Sequence, residues 1–269
     1  MLETSVSYTK PILIKIDKDI VDRLDLDTFQ LPMAIHLMLL QSTNYHRSYQ
    51  DSFRTTPELI YEGIFNSSTS NSTTRAKIIE ALKELHYFRL ITLNTLEIQW
   101  NTKLIINAMK LLHHDYEPYL SITSFDLATI LSHYGTKSTK PLLAYLNITS
   151  YFDWRDMTYY NEEYIKKNQS LTQDILYEPA FGQNWHISCY ASLNTLASKP
   201  YNDSPTKKWV TEKTLSKYLH TLQELKLISI ITVKKDELTM HHYCLPTYTK
   251  GVELLAQRKL EQTLYNKER

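Results

Sequence analysis

Cationic side chains are concentrated in one segment near the end of the chain. Positions 207–235 hold seven lysines against two acids, an excess of five positive charges that falls to three when Asp236 and Glu237 are included. A lysine ammonium binds a phosphate oxygen as a point charge, and each such contact adds to a salt-dependent affinity for nucleic acid. The segment predicts a phosphate-binding face of limited size, the alternative being a solvated helix face. Its lysines are Lys207, Lys208, Lys213, Lys217, Lys226, Lys234 and Lys235.

Short hydrogen-bonding side chains form a second concentration, a run of nine hydroxyl and amide residues at positions 66–74. A run of this composition is ordinarily a loop. This one immediately precedes a helical pattern, and short polar side chains at the start of a helix can bind phosphate oxygens together with the helix N–H groups. The residues predicted to bind here are Asn71, Ser72, Thr73, Arg75 and Lys77.

The histidines and cysteines have a spacing that does not favour a metal or catalytic site. His113-His114-Asp115 and His241-His242-x-Cys244 contain the residue types that bind zinc. Adjacent histidines on a strand point to opposite faces, so at most one of the second pair could converge with Cys244. The chain also has no Walker A, GxGxxG, GxSxG or HExxH motif. We therefore expect no enzymatic activity, no metal and no cofactor.

The elements that would position the lysine-rich face lie at 209–245. Three leucines at helical spacing predict one buried face of a helix that begins at Thr211. The apolar run at 227–231 is rich in β-branched residues and predicts a strand, with a hairpin tip at 234–237 and a returning strand at 238–245. The leucines are Leu215, Leu219 and Leu222.

This helix–turn–strand pattern occurs twice in the chain. The second copy lies 137 positions upstream and aligns without a gap over twenty positions, with Thr74 opposite Thr211 as the predicted helix cap. Its turn also carries a cation, Arg89 opposite Lys226. An internal repeat predicts two similar domains, although two unrelated amphipathic helix–strand units could share the apolar part of the pattern. The aligned positions include Leu82, Leu85, Leu90 and Ile91 opposite Leu219, Leu222, Leu227 and Ile228.

The rest of the chain predicts how the two copies are connected. Alternating isoleucines at 12–16 predict a strand in an N-terminal arm, and Thr56-Pro57-Glu58 predicts a helix start. A short hairpin without a cation is expected at 90–100, followed by helices, one of them at 103–112. In the second domain a helix is expected to begin near His186. The predicted organisation is an arm (1–28), a first domain (29–101), a helical connection (102–136), a second domain (137–248) and a C-terminal helix (249–269).

Composition limits the class of protein. The 269 residues suffice for two small domains, and the net charge of +1 excludes a bulk polycation, so any nucleic-acid surface is local. Two widely spaced cysteines indicate a reduced, cytoplasmic setting. The chain shows no signal peptide and no apolar run near the roughly 18 residues that span a bilayer, so we expect no membrane partner. Abundant Lys, Asn, Ile and Tyr are favoured by AT-rich coding, as in low-GC bacteria.

At the two L-x-x-L-x-x-φ-[RK]-L-I segments, 82–91 and 219–228, the chain resembles winged-helix proteins of low-GC bacteria and their mobile elements. Those proteins often have Gly where Arg89 and Lys226 stand. Two winged helices in this length look like plasmid replication initiators of low-GC Gram-positive bacteria, which bind repeated sites at an origin. In such proteins the first domain often dimerises while the second reads DNA.

This resemblance implies a mainly α fold with small β-hairpin wings (α+β), made of two winged helix-turn-helix domains joined by a helical connection. It implies that the helix after Thr211 enters the major groove of double-stranded DNA by its N-terminal half. The partners expected are double-stranded DNA, a second copy of the chain, and replication or transcription proteins. The residues expected to face DNA are Thr211, Lys213, Thr214 and Lys217, and those expected to bind the DNA backbone are Lys207, Lys208, Lys234 and Lys235.

Three functions remain open at this point. The chain could be a sequence-specific DNA-binding protein that initiates plasmid or phage replication, or a transcription regulator of the same architecture. It could also be a protein-interaction scaffold without DNA binding. Because the second copy has the larger excess of positive charge, we expect it to bind DNA more strongly than the first.

Overall fold

The computed structural model describes residues 13–17, 28–48, 52–107, 119–150, 188–198, 208–235 and 238–246, with single positions at 21 and 24 and between 249 and 263. The Tyr-rich segment 155–184 and Lys207 lie outside them. Helices and three small antiparallel sheets make this an α+β fold, which confirms the predicted class at that level. The chain divides into unit 1 (Met1–Leu146 with Tyr201–Ser204) and unit 2 (Asn147–Pro200 with Pro205–Arg269).

The described residues of unit 1 form two separate sheets. Strand β1 pairs with β5, and the other three strands form a sheet in the order β2-β4-β3. The elements are β1 Leu13–Asp17, α1 Gln30–Ser48, β2 Ser52–Thr55, α2 Pro57–Phe65, α3 Ser72–Tyr87, β3 Thr92–Leu93, β4 Leu104–Asn107, β5 Tyr119–Thr123 and α4 Ser124–Tyr134. A 3-10 turn, Gly135–Lys137, follows α4.

Unit 2 has one described sheet, and its strand order matches that of the three-stranded sheet in unit 1. The order is β6-β8-β7, so in both units the first strand of the sheet pairs with the last, and the last with the middle one. Helix α5 begins in unit 1 and its last three residues fall in unit 2. The elements are α5 Thr139–Thr149, β6 Ser188–Tyr190, α6 Leu193–Ala197, α7 Glu212–Glu224, β7 Ser229–Lys235 and β8 Leu238–Cys244.

Local sequence explains where α2 and α7 begin. Thr56 caps α2 by accepting a hydrogen bond from the Leu59 N–H at 3.2 Å, and Pro57 occupies the first turn, where its missing donor costs nothing. Thr211 caps α7 in the same way, accepting from the Thr214 N–H at 3.2 Å. Both predicted helix starts are confirmed.

The turn that follows α3 has the same geometry as the turn that follows α7. Arg89 and Lys226 adopt left-handed backbone conformations, with φ of 58° and 59°. After each turn an N–H reaches back to the helix, Leu90 to the Leu85 carbonyl and Leu227 to the Leu222 carbonyl, both at 2.9 Å. The aligned cation of the repeat is therefore the residue that ends the helix.

Each unit has its own buried apolar face. The leucine stripe of α7 is fully buried, with Leu215, Leu219 and Leu222 at most 1% exposed. Helical positions at 252, 256 and 260 are also buried in unit 2, as the predicted C-terminal stripe requires. In unit 1 the stripe of α3 is buried with apolar residues of α1 and α2. These unit 1 residues are Leu31, Ile35, Ile60, Ile64, Ile78, Leu82 and Leu85.

The expected helical connection at 102–136 is wrong in two places. Residues 104–107 and 119–123 are strands that pair within unit 1, and α4 is the helix among the described residues of this stretch. The spacing of apolar residues from Leu104 suggested a helix, but Leu104-Ile105-Ile106 lies between two strands, where pairing outweighs a local pattern. The boundary between the units also falls ten residues later than the predicted one at 136.

The first hairpin also differs from the prediction. Residues 96–100, expected to be its returning strand, form a loop, and β4 returns instead. Side-chain hydrogen bonds fix this loop: the Asn94 carboxamide oxygen accepts from the Ile105 N–H at 2.8 Å, and Thr102 Oγ1 accepts from the Gln99 N–H at 2.7 Å. The loop can therefore depart from strand geometry without losing its backbone partners.

Two smaller expectations changed. The helix expected to begin near His186 does not begin there, because 188–190 is strand β6 and helix α6 starts after the Ser192 cap. The described part of the arm, β1, is a strand as predicted and pairs with β5 in unit 1. The boundary predicted at 28/29 would therefore separate β1 from its partner strand β5, which lies in unit 1.

Candidate nucleic-acid interface

Helix α7 exposes a polar face opposite its leucines. Lys213 and Lys217 lie four residues apart, so they share that face, and both are exposed. Thr211 and Thr214 bond to each other through their hydroxyls at 2.9 Å at the start of the helix. Of the four residues predicted to face DNA, Thr211, Lys213 and Lys217 are therefore exposed, and Thr214 is half-buried.

The start of α7 is fixed by Trp209. Its indole Nε1–H donates to the Leu196 carbonyl at 3.0 Å, and its backbone N–H donates to the Ala197 carbonyl at 3.1 Å. The Asn147 side-chain amide donates to the same Leu196 carbonyl at 2.9 Å. These bonds hold the first turn of α7 against α6, which sequence reasoning did not foresee.

Lys208 is not a free cation. Its ammonium forms an ion pair with Glu212 at 2.7 Å, with the two side chains 43% and 46% exposed. An exposed pair of this kind is weak, so a phosphate could displace the carboxylate. For Lys208 to bind the DNA backbone as predicted, its ion pair with Glu212 must first break. Lys207 lies outside the described residues.

The second hairpin places two lysines at the end of β7. Lys234 and Lys235 are exposed and pair with Thr239 and Leu238 of β8. Successive strand residues point to opposite faces. Lys235 lies on the side of buried Val233, and Lys234 lies on the other. The two lysines therefore extend in different directions from the hairpin.

The first turn of α3 is capped three residues earlier than predicted. The Asn71 carboxamide oxygen accepts from the Thr74 N–H at 2.8 Å, so Asn71 is the cap and the Thr74 assignment is wrong. The alignment with Thr211 misled because α3 is a turn of helix longer than α7 at this end. Ser72 and Thr73 are exposed in the first turn.

Arg75 and Lys77 are both exposed on α3, but their surroundings differ. The Arg75 guanidinium lies over the Trp100 ring, 5.1 Å from its centroid, and its Nε–H donates to Ser70 Oγ at 2.8 Å. No comparable contact involves Lys77 among the described residues. Sequence reasoning missed Ser70 and Trp100, since nothing in the local pattern links position 100 to the start of α3.

The two helices present different charges at equivalent positions. With the repeat offset of 137, Arg75 corresponds to Glu212 and Glu80 corresponds to Lys217. The scaffold is therefore repeated, while the exposed surface is not.

The described histidine and cysteine side chains do not form a metal site. No group of three potential metal ligands occurs in the part of the chain that the structure describes. Cys244 is buried, and burial raises the pKa of its thiol to about 12 although a hydrogen bond with Thr249 lowers it, so the thiol stays protonated at neutral pH. His241 bonds instead to Thr232 Oγ1 at 3.0 Å, and His113 and His114 lie outside the described residues.

Among the helices of the described ranges, none combines the length and the apolar character that crossing a bilayer requires. Comparison of the chain with protein-family models, with curated proteins and with solved structures gave no match.

Proposed function

We propose that each unit is a winged helix and that the protein binds specific double-stranded DNA as a plasmid or phage replication initiator. One observation carries this proposal. The order strand–helix–helix–strand–strand occurs among the described residues of both units, with the first strand paired to the last and a helix with an exposed polar face directly before the hairpin. In a winged helix, the helix directly before the hairpin is the one that enters the major groove.

In unit 2, α7 enters the groove by its N-terminal half. Lys213 and Lys217 face the DNA there with Thr211 and Thr214; Thr211 and the two lysines are exposed, and Thr214 is half-buried. One of the two hairpin lysines, Lys234 or Lys235, binds the DNA backbone. Which of them does so depends on which face of the hairpin meets DNA. Lys208 joins them once Glu212 releases it, together with Lys207.

In unit 1, α3 assists or dimerises. Asn71, Ser72, Thr73, Arg75 and Lys77 lie at its first turns. Residues 90–107, which include the hairpin of this unit, contain one cation, Lys103, so the hairpin offers little phosphate binding of its own. We accordingly expect unit 2 to supply more of the electrostatic affinity.

A binding measurement with labelled duplex DNA tests the proposal. Lys213→Ala combined with Lys217→Ala should weaken binding about tenfold or more at low salt, because two phosphate or base contacts are lost. Both side chains are exposed, so the variant should fold normally. Lys137→Ala, an exposed lysine in the 3-10 turn, is the matched control and should bind like the wild type.

The outcomes separate the three functions. Absence of duplex binding by the wild type at low salt would leave the protein-interaction scaffold. Footprinting on the DNA around the gene distinguishes the other two, because protection of tandem repeats at an AT-rich origin indicates initiation, whereas protection of a promoter indicates transcription regulation.

A further inference from the structure

The loop of the first hairpin holds Trp100 in a fixed place. The Trp100 carbonyl accepts from the Glu58 N–H at 3.2 Å, and the Tyr61 ring packs edge-on against the indole with centroids 5.7 Å apart. Tyr61 is itself fixed, since its hydroxyl donates to the Thr69 carbonyl at 2.7 Å. The indole is thus attached to α2 and to the polar loop that precedes α3.

Arg75 rests on this fixed ring. The guanidinium carbon lies over the indole ring, and the bond from Nε to Ser70 Oγ further restricts the rotation of the side chain. The two terminal amino groups are the outermost part of the side chain and remain for a ligand. An exposed arginine ordinarily samples many rotamers, so two such contacts reduce the entropy that binding would otherwise cost.

A fixed planar fork suits one kind of DNA contact better than another. A phosphate needs only a nearby positive charge, which the flexible Lys77 provides equally well. Guanine offers two acceptors, O6 and N7, on its major-groove edge, and arginine bonds to both at once when its plane is aligned with the base. We propose that Arg75 reads one guanine of the DNA site through its terminal amino groups, with Trp100 and Ser70 as positioning residues.

This inference rests on the proposed function, with α3 of unit 1 assisting by lying in the major groove, and it adds a role for unit 1. The equivalent position in unit 2 is Glu212, which is paired with Lys208. Recognition of guanine by an arginine held in this way is therefore proposed for unit 1 and not for unit 2. That unit contributes base specificity, while the lysines of unit 2 contribute more of the charge.

Selection of bound sequences from a pool of randomised duplex DNA tests the inference in the full chain. The wild type should enrich a motif with at least one required G·C pair. Arg75→Lys keeps the charge but loses the planar fork, so preference for that pair should fall roughly tenfold or more. The rest of the motif and the salt dependence of binding should stay unchanged. Trp100→Leu and Ser70→Ala should each reduce the same preference by a smaller factor.

Lys77→Ala is the matched control on the same helix. It should weaken binding to all sequences alike and reduce the slope of log affinity against log salt by about 1. If Arg75→Lys keeps the full preference at every G·C pair, or weakens all sequences uniformly, Arg75 is a phosphate contact and the inference is wrong. If the wild type binds no duplex at low salt, the proposed function itself fails. If Trp100→Leu unfolds the protein, the test rests on Arg75→Lys alone. Arg75 is exposed, so that substitution should leave the fold intact.

Discussion

At the scale of single residues, the closest approach between α1 and α2 depends on one glycine. A Cβ placed on Gly63 would lie 2.8 Å from Nε2 and 2.9 Å from Cε1 of His36, shorter than non-bonded atoms allow. His36 is 2% exposed, and its Nε2 has no hydrogen-bond partner among the described residues. The imidazole is therefore a tightly packed core group, which a lone histidine in an apolar run does not reveal by itself.

Gly63→Ala should destabilise the protein by about 1–3 kcal/mol because the new methyl group overlaps the imidazole. Without that clash, alanine would stabilise the helix by about 1 kcal/mol relative to glycine. The sign of the change in unfolding free energy therefore shows whether the clash occurs. Urea unfolding monitored by circular dichroism measures the change. In a His36→Ala background the same substitution should cost clearly less, and an equal cost in both backgrounds would show that His36 is not the obstacle.

His36 also makes stability depend on pH. Burial lowers the pKa of His36 from 6.5 to about 4. The unfolded chain therefore binds a proton at this residue below pH 6.5, whereas the folded chain does so only below about pH 4. Stability should fall as the pH is lowered through this window, by on the order of 3 kcal/mol in total.

The measurement is urea unfolding at pH 7 and pH 4.5 for the wild type and for His36→Leu, which removes the titrating group while keeping an apolar side chain. The variant should lose less stability than the wild type over that interval. Equal losses would mean that other groups account for the pH dependence.

At the scale of elements, sequence predicted what is decided locally and missed what is decided by distant pairing. The Thr56 and Thr211 caps and the leucine stripe of α7 follow from residues within one or two turns. Strands β2 and β6 were missed, because each has at most four residues and is a strand through a partner about fifty positions away. The contact between Arg75 and Trp100 was missed for the same reason, because only the course of the loop brings Trp100 close to Arg75.

The left-handed turns give a prediction at this scale. Lys226→Gly should leave stability unchanged or raise it by up to about 1 kcal/mol, because glycine adopts positive φ without the steric cost that a Cβ brings. Lys217→Gly, the same substitution inside α7, should lower stability by about 1 kcal/mol. Thermal unfolding compares the two, and a loss of similar size at both positions would contradict the argument.

At the scale of the whole molecule, the net charge of +1 means that the proposed DNA affinity cannot come from the average charge. It must come from local groups of cations, with the compensating acidic residues elsewhere on the surface. The salt dependence of binding therefore counts the cations that meet phosphate. The expected division of labour is that unit 2 lysines set this dependence, and Arg75 in unit 1 sets base preference.

Affinity measured across a salt series tests this division. Lys213→Ala with Lys217→Ala should reduce the slope of log affinity against log salt by up to about 2, since each phosphate contact adds roughly 0.9. Arg75→Lys should leave the slope unchanged because the charge remains. A slope that the double variant does not alter would place the phosphate contacts elsewhere on the protein.

The matching turns after α3 and α7 also bear on the history of the chain. Glycine is the residue that a positive φ favours, and independent helices that needed this turn would each be expected to acquire it. Both turns instead carry a long cationic residue, Arg89 and Lys226, in almost the same conformation and with the same bond back to the helix. A long cationic residue at both turns is what duplication of one ancestral segment would leave, with the exposed surfaces diverging afterwards while the turn is retained.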